Sequence, residues 1–112
     1  MTDSIRVLIA EDQSLVRGAL KALLEAEPDI AVVAECATGI EVAGLVAKHC
    51  VDVALLDIEM PGKNGLDAAA ELAGTACRSL IVTTFGRGGY VKRALESGVA
   101  GFVVKDTSPE QL

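Results

Sequence analysis

No C-x-x-C pair occurs among the three cysteines, Cys36, Cys50 and Cys77, and the sequence holds one histidine, His49. Zinc and dithiol redox motifs are thereby excluded, and so is a His-centred metal cluster within the chain. The thiols are odd in number, widely spaced and set among small or apolar residues, so they are expected to be buried and inert. His49, beside Lys48 near the end of a helical stretch, reads as a helix-terminal cation and not as a base. Long apolar runs are missing too: charges interrupt every one well before the roughly 18 residues that a membrane-spanning helix needs. The start, Met1-Thr2-Asp3-Ser4, has neither the basic residues nor the apolar segment of a signal peptide, so cytoplasmic residence is expected. Clustered Lys and Arg are also lacking. Ten basic against 16 acidic residues give a formal charge of −6, which argues against a nucleic-acid surface on this domain. Some of that negative charge is available to a metal instead. There is no internal repeat, linker or low-complexity segment.

What is present is alternation. At 112 residues the chain is large enough for one core. Ile5–Ala10 reads as a buried strand. Leu15, Val16, Ala19, Leu20, Leu23 and Leu24 then recur with helical spacing, up to the break before Pro28. Residues 30–35 read as a shorter, Ala-rich strand suited to an edge, and residues 41–49 as a helix. Strands are expected at 53–56, 80–83 and 101–104, a short Ala-rich helix at 66–73, and a helix carrying Tyr90, Val91, Ala94 and Leu95 that ends at Gly98. Ser108-Pro109-Glu110 looks like the start of one more. Five β-α repeats imply a parallel sheet with helices on both faces, and continuous Val/Ile/Leu runs suit strands buried on both sides. Right-handed crossovers place every strand's C-terminal end along one edge. Ligands in such folds bind there.

The polar residues that close the apolar runs fall at that edge. Glu11-Asp12 follows the first strand, Asp57 the third, Thr83-Thr84 the fourth and Lys105 the fifth. Three carboxylates brought together repel one another unless a cation lies among them, and hard oxygen ligands in this number suit Mg²⁺ or Mn²⁺. Lys105 adds a point charge suited to phosphate, and Thr83 adds a hydroxyl donor. Together these groups could cradle a phosphoryl group, and an aspartate can itself be the nucleophile that accepts one. Singly, each has an ordinary structural reading: acids at a helix start, an acid in a turn, a β-forming Thr, a solvated Lys. Their coincidence at one edge is what argues for a site.

The same residues resemble the receiver domain of a two-component response regulator, from Ser4 to Leu112. The likeness rests on Glu11-Asp12, on Asp57 with Met60-Pro61-Gly62 and Gly65, on Thr83, and on Gly98-Val99-Ala100-Gly101-Phe102 leading into Lys105. The resemblance implies a flavodoxin-like, three-layer α/β/α fold with strand order 2-1-3-4-5, its final helix truncated at Leu112. It implies that Asp57 is the phosphoacceptor and Asp12 a direct Mg²⁺ ligand. Glu11 would bind the metal through water, and the backbone carbonyl of Glu59 would complete the protein ligands. Thr83, selected over Thr84 by its spacing to Lys105, and Lys105 would hold phosphoryl oxygens. Phe102 would turn inward when Thr83 moves. Glu11 and Asp106 replace an aspartate and a proline common at those positions. Both variants resemble the NarL/FixJ (LuxR-type) subfamily, and the second removes the usual case for a cis-proline. Residues 57–65 and 84–90 further resemble the branch that regulates membrane-lipid desaturation under a cold-sensing kinase. The Gly-rich stretch 84–90 is not a dinucleotide fingerprint, because it follows the fourth strand and lacks the G-x-G-x-x-G spacing.

The expected function is therefore a switch and not an enzyme. A sensor histidine kinase phosphorylates Asp57, the loop at 85–89 shifts, and a surface near the fourth helix changes its affinity for partners. The resemblance also implies homodimerisation on phosphorylation and a C-terminal helix-turn-helix DNA-binding domain, which makes residues 1–112 an N-terminal receiver fragment. Two alternatives differ in class. An aspartate-nucleophile phosphatase would use the same groups, but its Asp-x-Asp after the first strand is absent from Ala10-Glu11-Asp12-Gln13. A phosphorylation-independent interaction module would not need the complete acceptor set that this chain carries.

Overall fold

The apolar runs assemble into one parallel five-stranded sheet in a computed structural model that describes residues 4–83 and 101–104, with side chains described through residue 82. The strands are β1 (Ile5–Ala10), β2 (Ile30–Cys36), β3 (Val53–Asp57), β4 (Arg78–Thr83) and β5 (Gly101–Val104), in the order β2-β1-β3-β4-β5. Helices α1 (Ser14–Glu25), α2 (Val42–His49) and α3 (Gly65–Leu72) fill the first three crossovers, and a 3₁₀ turn, Gly39–Glu41, leads into α2. The flavodoxin-like order is the expected one. The helix anticipated around Tyr90–Leu95, the loop at 84–90 and the final truncated helix lie outside the described residues.

Strand periodicity sorts the core onto two faces. Leu8, Ala10, Ala54, Leu56 and Ile81 point to one side, where Val42 and Val46 of α2 and Leu66, Ala69 and Leu72 of α3 cover them. Val7, Ile9, Leu55 and Val82 point to the other, against Leu20 and Leu24 of α1. Leu8, Leu56, Leu66 and Ile81 are fully buried, each contributing about 1.5–3 kcal/mol by leaving water. The opposite edge of the sheet is tied by Asp52, whose carboxylate accepts from the Arg6 N–H and whose carbonyl accepts from the Arg78 N–H.

Several boundaries differ from the sequence reading. β2 is the longest strand, not a short one, and it is an edge strand as anticipated. Its register with β1 slips between Val7 and Leu8, leaving Val33 as the extra residue of a bulge. β4 starts at Arg78, two residues before its apolar run, because Arg78 and Ser79 pair with Val53 and Ala54. A strand is defined by its ladder, not by hydrophobicity alone. Among the described residues no helix is long and apolar enough to cross a membrane.

Cys36 and Cys77 are buried, whereas Cys50 is exposed, which corrects the expectation of three buried thiols. Cys50 closes α2 in the left-handed conformation, φ 51° and ψ 53°, and Val51 after it is buried in its place. His49 and Lys48 do lie in the last turn of α2. Burial first, then the charge of Glu41, pushes the Cys36 thiol from 9.0 up to about 11, against smaller lowering effects of the Thr38 backbone and Arg17. Burial likewise raises Cys77, with Asp52 adding to it. Thiolates are the reactive species, so a disulfide reagent at pH 8 should titrate Cys50 promptly and the other two thiols only on unfolding. Prompt reaction of all three would contradict the packing. Because the native Cys36 pKa lies above its unfolded value, the stability it contributes is complete below pH 9 and is lost as pH rises toward about 11.

Candidate functional site

Three carboxylates meet where β1 and β3 end. Glu11 directly follows β1, its N–H donating to the Cys36 carbonyl (3.0 Å) so that it continues the β1–β2 ladder. Its side chain is 1% exposed, and its Oε2 accepts from the Gln13 N–H at 3.2 Å. Asp12 is exposed beside it, and Asp57, the last residue of β3, is buried. One carboxylate oxygen from each of Glu11, Asp12 and Asp57 lies within 4.8 Å of the others. Two ionised carboxylates about 5 Å apart repel by about 3 kcal/mol at an effective dielectric of about 20. A hard divalent cation is the ligand that such a donor set fits, since it removes that repulsion and prefers oxygen. The acid pair and the distant acid of the sequence are therefore one cluster.

The turn after Asp57 is built to hold that residue still. Ile58 and Met60 are buried anchors, with Glu59 exposed between them. Asn64 caps α3, its side-chain oxygen accepting from the Asp67 N–H at 2.8 Å. Gly65 donates its N–H to the Ile58 carbonyl at 2.9 Å, and its Cα comes so close that a Cβ would sit 2.1 Å from the Asp57 carbonyl oxygen. A second close approach links this turn to its neighbour: a Cβ on Gly39 would sit 1.9 Å from the Lys63 carbonyl oxygen. Lys63 is also ion-paired with Glu71 of α3.

The remaining expected residues are placed only in part. Asp57 pairs with Val82 across β3–β4, so Thr83, one residue further along β4, ends at the same edge of the sheet. Thr83 in turn pairs with Val104, and Phe102 of β5 pairs with Ile81 of β4. Lys105 follows β5 directly and lies outside the described residues. Sequence reasoning missed Arg17, whose Nη1 donates to the Glu11 carbonyl at 2.7 Å. Its place in the first turn of a helix that follows the acid pair was the available signal.

A doubly wound parallel α/β domain with a carboxylate cluster at the carboxyl ends of its first and third strands defines a class of acidic-pocket, flavodoxin-like domains. The chain belongs to the response regulator receiver domain family, whose model matches residues 7–112. It is 48% identical over 108 residues to the transcriptional regulatory protein DesR of Bacillus subtilis, covering 96% of this chain and 54% of that protein. Among solved structures it is similar to the signal receiver domain of the response regulator NarL from Mycobacterium tuberculosis, with a TM-score of 0.91 and 32% identity over 96% of this chain and 89% of that one. A LuxR-family DNA-binding response regulator from Staphylococcus aureus matches with a TM-score of 0.89 and 35% identity, over 96% and 91% of the two chains. The LuxR-family relative agrees with the NarL/FixJ (LuxR-type) subfamily expected from the sequence. The chain spans about half the length of the curated relatives it matches.

Proposed function

We propose that this chain is the phosphoacceptor unit of a cytoplasmic transcriptional regulator, with Asp57 receiving a phosphoryl group from a sensor histidine kinase. The observation that carries this reading is the cluster of Glu11, Asp12 and Asp57 with its oxygens within 4.8 Å. Asp12 and Asp57, Glu11 through water and the Glu59 backbone carbonyl would hold Mg²⁺ (or Mn²⁺), which supplies charge neutralisation for the transferring phosphoryl oxygens. An Asp57 oxygen attacks phosphorus, the P–N bond of the kinase phosphohistidine breaks, and the leaving imidazole nitrogen keeps the electron pair. Lys105 and Thr83 then hold the phosphoryl oxygens, and Phe102 repacks as Thr83 moves. The altered surface promotes homodimerisation, and DNA is bound by a separate domain C-terminal to this one. Names of relatives as transcriptional regulators support that output.

The reading is tested by incubating the protein with a small acyl phosphate and following its intact mass. One phosphoryl group is expected with Mg²⁺ and none after chelation. No adduct with Mg²⁺ would overturn the reading, and failure to bind Mg²⁺ at all would favour a phosphorylation-independent module. Sustained phosphate release from a generic phosphoester would favour an aspartate-nucleophile phosphatase.

A further inference from the structure

We propose that Arg17 is a positioning residue for the acidic cluster, acting through the peptide bond that joins Glu11 to Asp12; this rests on the reading of that cluster as a divalent-cation site. Arg17 sits in α1, and its Nη1 donates to the Glu11 carbonyl oxygen at 2.7 Å. That carbonyl shares a rigid plane with the Asp12 N–H. Holding it fixes the plane between two of the three acids, and with it the direction in which Asp12 leaves the backbone. The other side of the guanidinium is held as well. Arg17 Nε lies 3.6 Å from Glu35 Oε1 in β2, and the second oxygen of Glu35 lies 3.2 Å from Lys21 Nζ, one turn further along α1. Arg17 is thus braced between the end of β1, β2 and its own helix. Its side chain is 24% exposed and that of Glu35 33%, so the brace is partly shielded from water.

Geometry and charge predict opposite consequences for metal binding. A positive charge near a cation site disfavours the cation, so if Arg17 acted only through its charge, removing it would tighten binding. Glu35 offsets part of that charge, shared with Lys21, and Arg17→Lys keeps it, so a loss of affinity in that variant reads geometry alone. A planar guanidinium can serve the carbonyl and the carboxylate at once through different nitrogens, whereas a lysine ammonium is a point charge that cannot reproduce the fork. Loss of an outer partner of a metal ligand typically weakens affinity by about 10–100-fold. Because Arg17 bonds the backbone of an acid and not its carboxylate, the lower end applies.

The test measures Mn²⁺ affinity of the full-length protein by electron paramagnetic resonance. Arg17→Lys and Arg17→Met should each raise the Kd about tenfold. Lys21→Met, which removes a charge of the same sign from the Glu35 carboxylate, should leave it unchanged. Unchanged affinity in Arg17→Lys, or unchanged or tighter binding in Arg17→Met, overturns the proposal, and thermal melting of each variant without metal checks that the fold being compared is intact. A wild-type protein whose Mn²⁺ binding does not depend on Asp57 would instead overturn the reading of the cluster itself.

Discussion

Asp57→Asn is expected to take up no phosphoryl group from a small acyl phosphate at saturating Mg²⁺, where the wild type takes up one. The amide keeps the size and shape of the carboxylate, so the β3 backbone pairing with Val82 is retained. It lacks the anionic oxygen that attacks phosphorus, and no neighbouring carboxylate can take over. Glu11 is buried at the end of a different strand and its Oε2 is held by the Gln13 N–H, while Asp12 sits in the turn after it. The metal-free variant should unfold at a denaturant concentration no lower than that of the wild type, because one of three mutually repelling charges within 4.8 Å is gone. That stability measurement separates loss of the acceptor from loss of the fold. An undiminished adduct on Asp57→Asn would place the acceptor elsewhere. Asp12→Asn should differ in kind: it removes a metal ligand but leaves the nucleophile, so phosphorylation should persist at a raised Mg²⁺ requirement.

The acidic cluster was legible because each member closes an apolar run, and strand ends in a parallel sheet share an edge by topology. Ile5–Ala10 and Gly101–Val104 have the boundaries expected from the sequence. Arg78 and Ser79 were missed because polar residues can extend a ladder through backbone bonds that composition does not display. Cys50 was misplaced for a related reason: its exposure follows from a left-handed helix end, and cysteine is not a residue that signals one. Arg17 belongs to a third kind of information. A long side chain returning to the backbone six residues earlier is invisible to apolar periodicity, which places Arg17 only beside Val16 on a helix. What the sequence supplied was the residues at the edge; what the structure adds is the brace that orients them.

Gly65→Ala should be a damaging single-methyl change at the site, lowering stability by about 2–3 kcal/mol and the melting temperature by about 10 °C. The added Cβ would lie 2.1 Å from the Asp57 carbonyl oxygen, 2.8 Å from its carbonyl carbon and 3.2 Å from the Ile58 Cα. All three atoms are backbone, so no side-chain rotation relieves the clash. Either α3 retreats, straining the Gly65 N–H bond to the Ile58 carbonyl, or the end of β3 moves and carries Asp57 with it. In the second case phosphorylation slows as well, since a displacement of about 1 Å can cost about a hundredfold in rate. Gly44→Ala in α2 is the matched control, because nothing lies within 4 Å of its added Cβ. There the same methyl should stabilise by about 0.5–1 kcal/mol through helix propensity. Opposite signs for the two substitutions, read by thermal denaturation, would isolate the close approach to Asp57 as the cause. A Gly65→Ala protein with wild-type melting temperature and phosphorylation rate would show that the turn has room to yield.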